Sequence, residues 1–235
     1  MIDKPISERL CRKLIPRVCS ALEGAYGKRE PAPTQRDPLD DLIVETLAEN
    51  SAAKDASRAF RDLRKSFVDW NEARVSRAGE IQRLIGPIDE APVKAQNVLR
   101  TLNSVFNRSN NLSLFFLLDA GPRQARDFLA GLEGVSEEIA ARLMLHSLGY
   151  PAVAVTPAIA RVSRRLGLVT QESSPEEMRK RLDKIVPTEH MYSFHELVSD
   201  HGRRSCLASG PKCSRCAIKR YCRAGKALKS RGRRT

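Results

Sequence analysis

The sequence predicts an all-α fold, and three observations support this prediction. Apolar residues recur with helical spacing along nearly the whole chain of 235 residues. No useful stretch alternates apolar and polar residues, as a half-buried strand would. The length is sufficient for one large domain or two small ones with a proper hydrophobic core.

The first predicted helix is an N-terminal segment that carries Cys11 and Cys19. The proline-containing stretch KREPAPTQRD, residues 28–37, is expected to join that helix to the main body. In DPLDDLIVETLAEN, Asp37 is a suitable N-cap and Pro38 suits the first helical position. The apolar residues that share one face of this helix are Leu39, Leu42, Ile43 and Leu47. Further helices are predicted in SRAFRDLRKSF, VKAQNVLRTLNSVF, PRQARDFLAGL, EEIAARLMLHSL, AIARVSRRLGL, PEEMRKRLDKIV and FHELVSDHG.

The sequence gives no sign of export or of membrane insertion. The opening MIDKPISERL has charges where a signal peptide needs an apolar core. No stretch approaches the roughly 20 apolar residues of a membrane-spanning helix. We therefore expect a cytoplasmic protein without a membrane partner, and we expect it to be a monomer.

Four of the six cysteines lie close together near the C-terminus, in CLASGPKCSRCAIKRYC. Their spacing is C-x6-C-x2-C-x5-C, and the residues are Cys206, Cys213, Cys216 and Cys222. In a reducing cytosol, clustered cysteines are more often metal ligands than disulfides, and two disulfides are the alternative.

The spacing of these cysteines favours an iron–sulfur cluster over zinc. Structural zinc sites usually pair two short chelating loops, whereas only one C-x2-C occurs here. A single compact loop suits a 4Fe-4S cubane, which offers one iron to each thiolate. Gly210 and Pro211 are expected to form the turn that brings Cys206 back towards Cys213. Zinc is the second choice for this loop.

The formal net charge of +13 is almost confined to the same end of the chain. Residues 201–235 contain twelve of the 41 Lys and Arg residues and none of the 28 Asp and Glu residues. Segregated cationic charge around a rigid loop is typical of a polyanion binder, because each neutralised phosphate releases counterions. Nucleic acid is therefore the favoured partner, and the final KALKSRGRR is expected to add nonspecific affinity. A merely solubilising tail is the alternative.

A helix, a tight turn and a second helix are predicted in FLAGLEGVSEEIAARLMLHSLG. The turn is placed at Gly134, Val135 and Ser136. Such a hairpin can point backbone N–H groups and a positive helix N-terminus at a phosphate. A plain connection between two helices of a bundle explains the pattern equally well.

Taken together, the hairpin and the cysteine loop resemble those of the endonuclease III family of helix-hairpin-helix DNA glycosylases. The cysteine loop of that family has the same spacing and holds a 4Fe-4S cluster. The resemblance spans roughly residues 38–225, with matches in the right order. DPLDDLIVETLAEN is similar to the first barrel helix, IGPIDEAPVKAQNVL to the I-G-x-x-x-x-K-A segment with an insertion, and HGRRSCLASGPKCSRC to the H-G-x-x-x-C start of the cluster loop.

The resemblance implies two helical lobes that flank a DNA-binding groove. One lobe would be a six-helix barrel with the helix-hairpin-helix, residues 37–149. The other would combine residues 1–36 with residues 150–225 and hold the cluster, and residues 226–235 would form a basic tail. Double-stranded DNA is the implied partner, and the implied location is cytoplasmic and nucleoid-associated.

The resemblance also implies which residues meet DNA. The cluster loop would present basic side chains to the backbone, namely Arg203, Arg204, Lys212, Arg215, Lys219 and Arg220, and the hairpin would contribute Gly134, Val135 and Ser136. In the family, a polar side chain that follows the first barrel helix fills the gap left by the flipped base. Asn50 stands at that position, where a simple cap of the helix end is the alternative interpretation.

Two positions depart from the catalytic pattern of the family. Its lyases carry a Lys in the hairpin that attacks the sugar C1′, and LEGVSEEIA has Glu138 there, which cannot form an imine. The family's V-D-T-H motif supplies an Asp that stabilises the oxocarbenium-like sugar, whereas VTPAI has Thr156 at the Asp position and Ala158 at the His position. A neutral hydroxyl neither carries the charge nor accepts the proton.

The hairpin departs from the pattern as well. Ser136 replaces the second hairpin Gly and is expected to add about 1 kcal/mol of strain if a left-handed conformation is kept. Glu137 and Glu138 lie in the first turn of the second helix, where the helix dipole favours them but where they would repel a phosphate.

The sequence therefore predicts an endonuclease III-like 4Fe-4S protein that binds duplex DNA without glycosylase or lyase activity. One alternative is an active glycosylase that acts on an unusual lesion through a relocated acid such as Glu138. Another is a module whose basic tail recruits RNA or a partner protein.

Overall fold

The structure is a computed structural model that describes residues 4–31 and 36–226. Within these ranges every regular element is helical and no strand occurs, which confirms the all-α prediction. The chain divides into two compact units. One unit combines Met1–Pro31 with Pro151–Thr235, and the other is Ala32–Tyr150. Residues 227–235 of the predicted basic tail and residues 32–35 of the predicted linker lie outside the described residues.

The described residues form helices α1 (Glu8–Tyr26), α2 (Pro38–Ala48), α3 (Ala53–Ser66), α4 (Trp70–Val75), α5 (Ala78–Ile85), α6 (Ala91–Ser109), α7 (Leu117–Ala120), α8 (Pro122–Ala130), α9 (Glu137–His146), α10 (Pro157–Leu166), α11 (Pro175–Ile185) and α12 (Met191–Arg204). Three short 3₁₀ turns lie at Thr188–His190, Cys213–Arg215 and Lys219–Tyr221. None of the helices in the described part of the chain is both long and apolar enough to cross a lipid bilayer.

The predicted start of α2 is confirmed in detail. The Asp37 carboxylate accepts a hydrogen bond from Leu39 N at 2.9 Å, and Pro38 occupies the first turn. The same carboxylate also accepts a hydrogen bond from Leu114 N at 2.9 Å, so it fixes the segment before α7 as well as the start of α2. The apolar face of α2 is fully buried between its neighbours α3, α6 and α9. This helix is therefore the central element of the Ala32–Tyr150 unit.

The other unit is built around α12, which packs against both α1 and α10. Phe194 on α12 is completely buried. Near its C-terminal end, α12 approaches α10 so closely that a Cβ at Gly202 would lie 2.7 Å from Ala158 Cβ. Such a distance is shorter than any carbon–carbon contact, so this crossing requires glycine. The approach places the residues after α12, which carry the four clustered cysteines, beside α10.

Three helices were absent from the sequence prediction: α4, α5 and α7. They have six, eight and four residues, respectively. Helices of this length contain too few turns for an apolar period to be recognised. Helix α4 depends instead on a local cap, since the Asp69 side chain accepts from Glu72 N at 2.9 Å.

Candidate functional site

The four clustered cysteines converge on one cavity. All of them are free thiols, and each is half-buried. They line a cavity of about 60 Å³ whose wall is completed largely by apolar side chains such as Val162, Leu166 and Ile218. Cys11 and Cys19, by contrast, are fully buried in α1 and do not line this cavity.

The loop that presents these cysteines turns back on itself where the sequence predicts. Gly210 has a φ of +63°, a conformation that favours glycine, and Pro211 follows it. Lys212 N then donates to Ser205 O at 2.9 Å, which closes the loop between Cys206 and Cys213. The predicted turn at Gly210 and Pro211 is therefore confirmed.

Two arginines one turn apart on α10 hold this loop through its backbone carbonyls. Arg161 donates from Nε to Cys206 O at 2.8 Å and from Nη2 to Gly202 O at 2.7 Å. Arg165 donates from Nη1 to Leu207 O at 2.7 Å, and the same nitrogen lies 3.2 Å from Cys206 Sγ. The guanidinium groups thus fix the loop and place positive charge beside a thiol.

His201 approaches the cavity from α12. Its Nε2 lies 3.6 Å from Cys216 Sγ, and its Nδ1 lies 2.9 Å from the Tyr26 hydroxyl. Burial lowers the pKa of His201 to about 4, so the imidazole is neutral at physiological pH. A neutral imidazole offers one N–H donor, and the partner on the opposite nitrogen decides which nitrogen carries it.

The cysteine thiols respond to burial in the opposite direction. Burial raises the pKa of Cys216 and of Cys222, because the charged thiolate loses hydration. Without a bound metal these two side chains are therefore neutral thiols. Metal binding to them must release protons, and thiolate formation then has to be offset by bonds to the metal.

The donor set fits a 4Fe-4S cluster. A zinc ion bonded to four sulfurs at about 2.3 Å would leave no room between them. The cavity of about 60 Å³ is larger than the ~10–15 Å³ needed for a single water. A thiolate-bound cluster is anionic, and Arg165 and the exposed Lys212 supply compensating charge at the cavity. The size, the four thiols and the charge therefore agree with a cluster better than with one ion.

The predicted hairpin joins α8 to α9. Gly134 has a φ of +82°, and a Cβ there would lie 2.6 Å from Asn97 O, so only glycine fits. Ser136 is the N-cap of α9 with a φ of −76°. The strain expected for a left-handed Ser136 is therefore absent, because the extended N-cap conformation is open to any residue.

The Ser136 hydroxyl is fully engaged within the protein. It accepts from Ile139 N at 3.2 Å and donates to Glu49 Oε1 at 2.7 Å. A carboxylate thus lies against the N-terminus of α9, where a phosphate would otherwise bind.

The residues at the two catalytic positions of the resemblance also have structural partners. The Glu138 carboxylate lies 3.9 Å from Arg142 Nη1, and Glu45 lies 3.0 Å from Arg142 Nε. Thr156 is the N-cap of α10, and its hydroxyl accepts from Ile159 N at 3.2 Å. Glu138 takes part in ion pairing, and Thr156 caps a helix.

Asn50 follows the end of α2 and is exposed. Its φ of +55° is the left-handed conformation typical of a residue that ends a helix. Its side-chain amide lies 3.4 Å from Glu90 Oε2. The next residue, Ser51, accepts a hydrogen bond from the buried Lys94, whose pKa is lowered by burial. The geometry agrees with a helix-end role and leaves the Asn50 side chain at the surface.

Most of the basic residues in the cysteine loop and at the preceding end of α12 are available to contact a partner. Arg203 pairs with Asp200 at 2.7 Å, and Arg204 stacks on the Tyr26 ring at 4.6 Å. Among the described residues no carboxylate pairs with Lys212, Arg215, Lys219 or Arg220. On the outside of the loop, Lys219, Arg220 and Lys226 line a shallow cleft together with Cys216.

Sequence reasoning missed the residues that support the cysteine loop. The sequence pattern predicts only that Arg161 and Arg165 lie on a helix, and it has no signal that distinguishes Tyr26. Arg161 and its partner Cys206 are 45 residues apart in the sequence, and Tyr26 and its partner His201 are 175 residues apart. The spacing of the two arginines by four residues places them on one face of α10, but it does not say what that face contacts.

Comparisons with known proteins agree with this architecture. No family model matches the chain. Endonuclease III of Sulfolobus acidocaldarius is 26% identical over 188 residues, which cover 80% of this chain and 82% of that protein. Endonuclease III of Bacillus subtilis is 32% identical over 143 residues, which cover 58% of this chain and 65% of that protein. The structure of a non-covalent endonuclease III–DNA complex matches with a TM-score of 0.77 at 25% identity, covering 93% of this chain and 98% of that one.

The helical architecture and the hairpin between α8 and α9 are similar to those of the helix-hairpin-helix DNA glycosylases. Among these proteins the chain is similar to endonuclease III, as its relatives and structural neighbours both indicate. The resemblance recognised in the sequence is thereby confirmed.

Proposed function

We propose that this protein is a 4Fe-4S protein that binds duplex DNA and has lost the glycosylase and lyase chemistry of its relatives. The observation that carries the proposal is the state of the two catalytic positions. Thr156 serves as an N-cap and Glu138 faces Arg142, so neither offers the group that the reaction needs. In this proposal the Ala32–Tyr150 unit is the barrel with the hairpin, and the other unit is the cluster lobe.

The cluster would be held by Cys206, Cys213, Cys216 and Cys222. When bound, it supplies a rigid anionic core around which the loop folds, and no reaction step is assigned to it. Arg161 and Arg165 hold the loop in place through its carbonyls. The loop then presents its exposed cations outward at fixed positions.

Duplex DNA is the partner that this charge distribution fits best. The unpaired cations of the loop can contact phosphates without first breaking internal ion pairs. Two of the structural neighbours are endonuclease III–DNA complexes, which supports the same partner. The expected DNA contacts are Arg203, Arg204, Lys212, Arg215, Lys219 and Arg220, with Asn50 as the residue that would enter the duplex. We also propose a cytoplasmic, nucleoid-associated monomer.

Loss of lyase activity follows from the chemistry of residue 138. An amine attacks the sugar C1′ and eliminates water to form an imine, whereas a carboxylate has no nitrogen to do so. The Glu138 carboxylate lies 3.9 Å from Arg142 Nη1. No nucleophilic amine therefore stands at this position.

Loss of base excision follows from residue 156. A carboxylate at the start of α10 would stabilise positive charge on the sugar and help to activate water. The Thr156 hydroxyl is neutral and already accepts a backbone N–H. The hairpin should also hold phosphate weakly, because Glu49 contacts Ser136 at the N-terminus of α9.

The test combines binding and turnover on the same substrates. Duplexes that contain an abasic site, oxidised pyrimidines or mismatched bases are incubated with the protein, with an active endonuclease III as positive control. We expect binding of the abasic duplex, no borohydride-trapped covalent complex and base release at background level. Base release that is abolished by Glu138→Gln would support an active enzyme with a relocated acid. Robust release that survives Glu138→Gln would contradict both interpretations.

The contribution of the tail can be separated by salt. Duplex binding should weaken with a log–log slope of about −0.9 per phosphate contacted. Removal of residues 226–235 should flatten that slope by several units if the tail lies on DNA. An unchanged slope would identify the tail as a solubilising extension. Equal affinity for single-stranded RNA and duplex DNA would favour the RNA- or protein-recruiting alternative.

A further inference from the structure

A chain of polar groups connects the end of α1 to one cysteine of the candidate cluster. The Tyr26 hydroxyl lies 2.9 Å from Ser205 Oγ and 2.9 Å from His201 Nδ1. The other ring nitrogen of His201, Nε2, lies 3.6 Å from Cys216 Sγ. His201 is only 1% exposed, so water does not compete for its nitrogens.

The Cys216 sulfur, the last group in this series of polar contacts, fixes the direction of the hydrogen bonds. A metal-bound Cys216 is a thiolate, which accepts hydrogen bonds and cannot donate one. His201 must therefore carry its proton on Nε2, since the alternative tautomer would place a nitrogen lone pair against the thiolate. Nδ1 then needs a donor, and the Tyr26 hydroxyl is in place to be that donor. Ser205 can in turn donate to the Tyr26 oxygen.

The Tyr26 ring is held in place by contacts with Arg204 and His201. The ring lies under the Arg204 guanidinium, 4.6 Å from the centroid, and its centroid is 6.0 Å from that of the His201 ring. A cation over the ring draws electron density from the phenol and strengthens its hydroxyl as a donor. Arg204 therefore supports the same direction of donation.

We propose that Tyr26 is a positioning residue for the cluster, holding the His201 imidazole in the tautomer that donates from Nε2 to the Cys216 sulfur. The proposal rests on the proposed 4Fe-4S cluster. Hydrogen bonds to cluster sulfurs and their surroundings are among the features that set a reduction potential. A donor N–H withdraws charge from the thiolate and stabilises the more reduced, more negative state. Tyr26 should therefore raise the reduction potential of the cluster without contacting it.

The experiment measures iron content, visible spectrum and midpoint potential of the full-length protein in the absence of DNA. Tyr26→Phe removes the hydroxyl and keeps the ring. We expect unchanged iron content and a more negative midpoint potential. The ratio of oxidised to reduced cluster at a given potential should rise about tenfold, which corresponds to a shift of about 59 mV for one electron. Tyr221→Phe is the matched control, because Tyr221 lies next to the ligand Cys222 in the cysteine loop and its hydroxyl has no hydrogen-bond partner among the described residues.

A pair of His201 variants tests the direction of the network independently. The amide nitrogen of Gln can reach the position of Nε2, whereas that of Asn can reach only the position of Nδ1. His201→Gln should therefore keep a potential close to that of the wild type, and His201→Asn should match Tyr26→Phe. A fully loaded Tyr26→Phe protein with the wild-type potential would overturn the proposed role of Tyr26. Wild-type protein without iron would instead overturn the proposed cluster, at the first measurement.

Discussion

The cysteine loop and the hairpin keep their family patterns to different degrees. The loop retains all four thiols and is held by Arg161 and Arg165 through several hydrogen bonds. The hairpin retains Gly134, which its backbone requires, but it has Ser136 and Glu138 where the family has a glycine and a catalytic lysine. The difference teaches that the hairpin matches the family pattern at Gly134, where its backbone has room only for glycine, and departs from it at the position of the attacking amine.

Thr156 shows the same distinction within one residue. An Asp at the start of a helix can both cap the helix and serve the reaction. Thr156 keeps the cap through its bond from Ile159 N and lacks the charge. The start of α10 is therefore well capped without a carboxylate at residue 156.

The largest effect is expected when the loop loses a ligand. Cys213→Ser should abolish the brown colour, reduce the iron content well below about four per chain and unfold the loop, because metal-ligand bonds supply folding free energy. The measurements are iron analysis, absorption and thermal unfolding under anaerobic conditions. Cys19→Ser is the control, since Cys19 is buried in α1 away from the cavity and should leave the iron content unchanged. A colourless wild-type protein with about one zinc per chain would contradict the cluster.

A somewhat smaller effect is expected when the loop loses its support. Arg165→Ala removes hydrogen bonds to Leu207 O and Ala208 O together with the contact to Cys206, at a cost of about 3 kcal/mol. The cluster should then be lost faster on exposure to oxygen or chelator. Arg165→Lys should lose the cluster at a similarly increased rate, because an ammonium group cannot reproduce the forked hydrogen-bond geometry of a guanidinium group. The exposed Arg215 provides the control, and Arg215→Ala should leave the loss rate unchanged.

The hairpin backbone can be tested with a matched pair of glycines. Gly134 and Gly149 both have positive φ angles, +82° and +68°, but a Cβ would meet Asn97 O only at Gly134. Each change to Ala adds about 1 kcal/mol of backbone strain. Gly134→Ala should cost about 2 kcal/mol more than Gly149→Ala, since the added methyl has no room. Denaturant unfolding of both variants measures the difference, and equal values would show that the hairpin backbone can shift.

The sequence sufficed to predict the helical class, most of the helices, the cap at Asp37 and the turn at Gly210 and Pro211. These features depend on neighbouring residues, whose spacing is visible in the sequence. The short helices and the support of the cysteine loop could not be predicted. Arg165 and Tyr26 act on partners that only tertiary packing brings near, and no local pattern records such contacts. The left-handed conformation on which the strain at Ser136 depends does not occur, because its backbone is extended.

The smallest effect concerns Thr156 and separates its two possible roles. Thr156→Val keeps the shape and removes the capping oxygen, so it should destabilise the protein by about 1 kcal/mol. Thr156→Asp should retain stability, because Asp is as good an N-cap as Thr or better, and its charge favours the helix N-terminus. Thermal unfolding of both variants measures the cap, and base release by each measures the chemistry. We expect no release from Thr156→Val or from the wild type. Gly149→Ala, with a similar loss of stability, is the control. If the wild type released bases, and if this release disappeared in Thr156→Val but not in Gly149→Ala, the Thr156 hydroxyl would take part in catalysis. That outcome would contradict its purely structural role.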